Sequence, residues 1–76
     1  MDIKKNIKEI LSSILDIPLE ALPDNAAPGD PEKWDSLKHL QFFIALEEDF
    51  EVVFSDKEMN EMIDLPSIVK IIENKM

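Results

Sequence analysis

The stretch that decides the fold is Trp34-Asp35-Ser36-Leu37-Lys38-His39-Leu40-Gln41-Phe42-Phe43-Ile44-Ala45-Leu46-Glu47-Glu48-Asp49-Phe50. Asp35 is a good helix cap, and Leu37, Leu40, Phe43, Ile44 and Leu46 recur at helical spacing to about Phe50. Phe42, Phe43 and Ala45 widen that stripe, so this helix is expected to be central and packed against more than one neighbour.

Upstream, residues 17 to 35 hold four of the five prolines and the only glycine, which reads as a long ordered loop. Leu19-Glu20-Ala21-Leu22 can form one helical turn within it, and Leu19, Leu22 and Trp34 are its expected anchors. Further upstream, Ile3, Ile7, Ile10, Leu11, Ile14 and Leu15 form one face of an amphipathic helix from Asp2 to about Asp16. Asp2 is placed to cap it, and Pro18 is expected to stop it. Downstream, Ser55-Asp56-Lys57-Glu58 has the S-x-x-E form of a capping box, opening a short helix through Met62. A last helix begins near Pro66, with Ile68, Val69, Ile71, Ile72 and Met76 facing inward. Strand-like alternation is confined to Val52-Val53-Phe54. The expected fold is therefore all-α: one domain over residues 1–76, a four-helix bundle with a long first connection and a short third helix.

Composition narrows the function. The 76 residues carry 17 Asp and Glu against 8 Lys and Arg, a net charge of −9, which argues against nucleic acid, since phosphate-backbone binding rests on cationic side chains. The longest apolar run, Phe42 to Leu46, is too short to cross a bilayer, and no secretory h-region stands at the start, so a cytoplasmic location is expected. There is no cysteine to build a disulfide or a thiolate metal site. The hydrophobic fraction of 45% separates the chain from disordered acidic segments.

Catalytic raw material is sparse. His39 is the one histidine, and beside Lys38 it reads as a partly exposed helix residue rather than a base or a metal ligand. Eight carboxylates between positions 47 and 64 face one base, Lys57, but no EF-hand loop with its glycine is present. A solvated acidic face with weak attraction for divalent ions is the expectation. Ser36 has two readings. It can serve as a local cap, or its hydroxyl can bear a phosphodiester in the positive field of the helix start.

In context, Asp35-Ser36-Leu37 followed by Leu40, Ala45, Leu46, Glu47, Glu48, Asp49 and Phe50 resembles the acyl and peptidyl carrier proteins. The helix before, the Pro-rich loop and the spacing to Ser55-Asp56 fit as well, so the resemblance covers essentially the whole chain. It implies the acyl-carrier type of bundle and a protein that is not itself an enzyme. Ser36 would receive a 4′-phosphopantetheine arm from coenzyme A inside a phosphopantetheinyl transferase, and the arm's thiol would hold acyl groups as thioesters. Asp35 would help place Mg²⁺ and the donor phosphate there. Leu37 and Leu40 would anchor the helix. Phe43, Ile44, Leu46, Phe54, Met59 and Met62 would line the space between the second and third helices, methionine being suited to a deformable lining.

Two departures from fatty-acid carriers stand out. Pro28-Gly29-Asp30-Pro31-Glu32-Lys33-Trp34 replaces their D-L-G-x approach, with Trp34 as substitute anchor, and Lys38, His39 and Gln41 stand where acidic residues are common. The chain thus resembles stand-alone carriers of secondary metabolism or of surface polymers. Its partners would be acyl-loading and acyl-transferring enzymes with basic docking patches, meeting Lys38, His39, Gln41, Glu47, Glu48, Asp56 and Glu58. A monomer that binds neither membrane nor nucleic acid is expected. The alternative is an acidic helical interaction module without a prosthetic group.

Overall fold

A computed structural model describes residues 2–29 and 32–76; Asp30 and Pro31, read above as part of the loop before the second helix, lie outside the described residues, as does Met1. Four helices are found among those residues: α1 (Ile3–Leu15), α2 (Ser36–Phe50), α3 (Asp56–Glu61) and α4 (Leu65–Lys75), with a 3-10 turn at Leu19–Ala21. The all-α bundle with a long first connection and a short α3 is what the sequence implies.

Asp2 caps α1 by accepting from the Lys5 N–H at 3.1 Å, and Ile7, Leu11 and Leu15 are buried along its inner face. Ser12 is buried with them, and its hydroxyl is satisfied by donating to the Glu9 carbonyl at 2.9 Å. The helix ends near Asp16, as expected, but Pro18 is not what stops it. It ends at Leu15 because Asp16 turns left-handed, with φ 56° and ψ 48°. The Ile17 N–H then returns to the Ser12 carbonyl and the Asp16 N–H to the Ser13 carbonyl, the Schellman pattern. Pro18 instead precedes the 3-10 turn.

The second helix ends the same way at Glu51, with φ 55° and the Val52 N–H bonded to the Glu47 carbonyl at 3.2 Å. Both stops place a carboxylate where glycine is the usual occupant. The faces of α2 differ from expectation. Phe42, Phe43, Leu46 and Phe50 are buried, whereas Leu37 (61% exposed), Leu40 (55%) and Ile44 (49%) face solvent. Leu37 and Leu40 therefore do not anchor the helix. At about 100° per residue the two apolar stripes lie roughly 140° apart, so one covers the core and the other is left largely to solvent among the described residues. The backbone of α2 packs closely on α1 alone among the helices.

In α3 the capping box is complete. The Glu58 N–H donates to Ser55 Oγ at 3.1 Å, and the Ser55 N–H to Glu58 Oε1 at 2.9 Å. Lys75 then ties α4 back to it through Glu58 Oε2 at 2.8 Å, an ion pair that holds the Glu58 carboxyl below its ordinary range. Asp64 caps α4 by accepting from the Ser67 N–H at 2.9 Å, and Ser67 Oγ accepts in return from the Asp64 N–H. Ile68, Val69 and Ile72 are buried and Ile71 half-buried, but Met76, expected inside, is exposed.

The long connection is ordered by specific ties. Leu22, Ala26 and Trp34 are in the core, while Leu19 is half-buried. Lys8 and Lys4 of α1 reach Asp24 at 2.7 and 3.3 Å. The Ala26 carbonyl accepts from the Leu65 N–H at 2.7 Å, joining the loop to the start of α4. The Gly29 N–H donates to the Trp34 carbonyl at 2.8 Å, with Gly29 at φ 93°, a conformation that side chains disfavour.

Candidate functional site: the Ser36 turn

Ser36 is the first residue of α2 and is exposed. Asp35, also exposed, caps the helix: its Oδ1 accepts from the Lys38 N–H at 2.9 Å, and its carbonyl accepts the first helical bond, from His39. The N–H groups of Ser36 and Leu37 have no hydrogen-bond partner among the described residues. The serine hydroxyl thus stands at the positive end of a 15-residue helix dipole, with donors open to an anion.

The turn has a rigid base. Trp34 is fully buried, and its indole N–H donates to Nδ1 of His39 at 2.9 Å. This bond spans five residues and clasps the chain on both sides of Asp35-Ser36. Trp34 also meets Phe42 edge-on, with centroids 5.8 Å apart. His39 lies over Phe43 at 4.3 Å, and Phe43 over Phe54 at 6.2 Å. Burial lowers the pKa of His39, and a contact with the backbone of Met62 opposes that only in part. Since Nδ1 accepts from the indole, the neutral ring carries its proton on Nε2.

The residues expected to line an acyl space divide. Phe43, Leu46, Phe54 and Met62 are buried and Met59 is half-buried against them, but Ile44 is exposed on the other stripe. The expected docking residues divide as well. Gln41, Glu48 and Asp56 are exposed, and Lys38 is half-buried. Three others have structural tasks. His39 is held by Trp34, Glu47 Oε2 accepts from the Phe54 N–H at 3.0 Å, and Glu58 serves the α3 cap and Lys75. In the 47 to 64 acidic run, no three described carboxylates converge as a metal site would require.

The Trp34–His39 bond was not legible in the sequence. The residues stand five apart across a helix cap, outside the i, i+3 and i, i+4 spacings that mark neighbours on a helix. The buried Trp34 beside a capping Asp35 was the one available signal.

No family model matches the chain. Over 74 residues, 97% of its length, it is 32% identical to the acyl carrier protein of Buchnera aphidicola subsp. Schizaphis graminum, covering 94% of that protein. It is likewise 32% identical to the acyl carrier protein of Buchnera aphidicola subsp. Acyrthosiphon pisum (strain 5A), covering 92%. A whole-length match of this kind, to an all-helical chain that presents an exposed serine on its second helix, places it: the chain belongs to the acyl carrier protein family.

Proposed function

We propose that this protein carries acyl groups as thioesters on a 4′-phosphopantetheine arm esterified to Ser36, and delivers them to partner enzymes without catalysing their chemistry itself. The observation that carries this reading is the exposed Ser36 hydroxyl at the N-terminus of α2, on a turn clasped by Trp34 and His39. The site suits the group. A phosphodiester at Ser36 Oγ would lie beside the open N–H groups of Ser36 and Leu37 and within the helix dipole, and no acidic side chain follows until Glu47. The bound arm supplies a thiol, which the chain, having no cysteine, does not have.

During attachment Ser36 Oγ would form the new bond to phosphorus and lose its proton, with the nucleotide part of coenzyme A departing. Asp35 commits one carboxylate oxygen to the cap, and its other oxygen, on an exposed side chain, would be free to meet Mg²⁺ held by the transferase. The exposed stripe Leu37, Leu40 and Ile44, flanked by Gln41 and Glu48, gives partners an apolar strip with a cationic start at Lys38 and an acidic end. That charge order supports a carrier dedicated to one specialised pathway, with partners whose basic patches meet the far end of α2 and the start of α3.

Coexpression with a broad-specificity phosphopantetheinyl transferase tests the reading. Intact mass should rise by one phosphopantetheinyl group, and Ser36→Ala should abolish the gain while leaving melting unchanged, since Asp35 carries the cap. A wild-type chain left unmodified would sink the proposal.

A further inference from the structure

We propose that this carrier keeps its cargo outside the helical core, and therefore serves short or polar acyl groups rather than long aliphatic chains. The inference rests on the carrier reading above and concerns what the residues between α2 and α3 can admit.

The side chains at that position fill it themselves. Trp34, His39, Phe43 and Phe54 form a continuous column of rings, with successive centroids 5.5, 4.3 and 6.2 Å apart. Phe42 backs the Trp34 end, and Leu46 and Met62, in the same core, are fully buried. Rings packed at these distances share their space, so opening a channel at one shifts its neighbours as well. An alkyl chain entering here would have to displace neighbouring rings together, against the close packing of a protein interior.

The column is also pinned by polar bonds that an alkyl chain cannot replace. Moving the His39 ring takes Nδ1 away from the indole of Trp34, leaving a donor on a fully buried side chain without a partner. At the other end, the Phe54 N–H is bonded to Glu47 Oε2, and the Lys75 ammonium lies 5.9 Å from the centroid of the Phe54 ring. The Trp34 end is thus held through the rings themselves, and the Phe54 end through its backbone and the nearby ammonium. Of the two flexible methionines in the expected lining, Met59 is half-buried and Met62 is fully buried within the core. A long aliphatic cargo excluded from this space would stay in water, an unfavourable state that short or polar cargo avoids.

The test is a melting series on the wild-type carrier loaded with acetyl, hexanoyl or decanoyl pantetheine, with loading verified by intact mass. A core that buried its cargo would gain roughly 3–6 °C for each methylene buried, whereas cargo held outside leaves the three forms within about 1 °C. A melting temperature that climbs with chain length overturns the inference and leaves the carrier reading intact. A mass unchanged after transferase treatment overturns both. The double variant His39→Ala, Phe43→Val should gain chain-length dependence relative to its own acetyl form. If it folds and gains none, these rings are not what excludes the chain. If it does not fold, the wild-type series decides.

Discussion

Replacing Trp34 with phenylalanine removes one hydrogen-bond donor and part of one fully buried ring, and both losses can be sized. The indole N–H to His39 Nδ1 bond, at 2.9 Å, contributes about 1 kcal/mol net, as intramolecular hydrogen bonds generally do. The smaller ring leaves a partial cavity against Phe42 and the surrounding core, costing about 1 kcal/mol more. The sum, about 2 kcal/mol, is large against the roughly 4–11 kcal/mol expected for a domain of this length. It corresponds to a fall in Tm of roughly 8–16 °C. The same change should raise the pKa of His39 only in part: burial, the main cause of its lowering, remains, while Nδ1 no longer faces a donor and can accept a proton. In the wild type the folded pKa lies below the unfolded one, so the unfolded chain binds more protons between the two values. The stabilisation is therefore fully present above the ordinary histidine pKa of 6.5 and lost as pH falls through the folded value. Urea unfolding at neutral and mildly acidic pH, with an NMR titration of the His39 ring, measures all three effects. A Trp34→Phe protein less than about 0.5 kcal/mol weaker than wild type, with an unmoved His39 titration, would refute the clasp, because a hydrogen bond of ordinary strength predicts more.

Two further substitutions probe the ends of α2. Asp35→Ala should destabilise the protein by about 1 kcal/mol through loss of the cap, whereas Asp35→Asn should restore stability but not the rate of modification, if the carboxylate also serves Mg²⁺. Chemical denaturation paired with transferase kinetics separates the two roles. Glu51→Gly should stabilise by about 1 kcal/mol: it relieves left-handed strain and removes a carboxylate from the negative end of the helix, offset in part by the freedom of glycine in the unfolded chain. Thermal melting beside Glu51→Ala checks this, since alanine removes the charge but keeps the strain.

The sequence disclosed the helices more fully than their orientation. Asp2, Asp35 and the Ser55–Glu58 box mark helix starts through chemistry confined to three or four residues, and such local signals survive folding unchanged. The stop of α1 was placed correctly, near Asp16, but ascribed to the wrong residue, because a left-handed Asp16 has no strong sequence mark whereas Pro18 is conspicuous. The inner face of α2 was misread for a different reason. Leu37, Leu40 and Ile44 have the same i, i+3, i+7 spacing as a buried stripe, and periodicity identifies a stripe without saying which of two will be covered. The place of Ser36 at the start of α2 was legible because the cap beside it marks that start. The aromatic column was not, since the contact of Phe43 with Phe54 depends on how the chain returns after α2.

The bond from Leu65 to Ala26 joins residues that are far apart in sequence, and Trp34, the anchor of the clasp, is fully buried in a core shared with α1 and α4, so the approach to Ser36 depends on distant parts of the chain. The turn acquires its shape only once those parts have come together, because contacts of large sequence separation require loop closure first. If the arm is attached as proposed, its attachment would work as inspection: a transferase reading the shape of this turn would spend coenzyme A on finished molecules and pass over nascent or damaged ones. Equal modification rates for folded and urea-unfolded chains would show that no such inspection takes place.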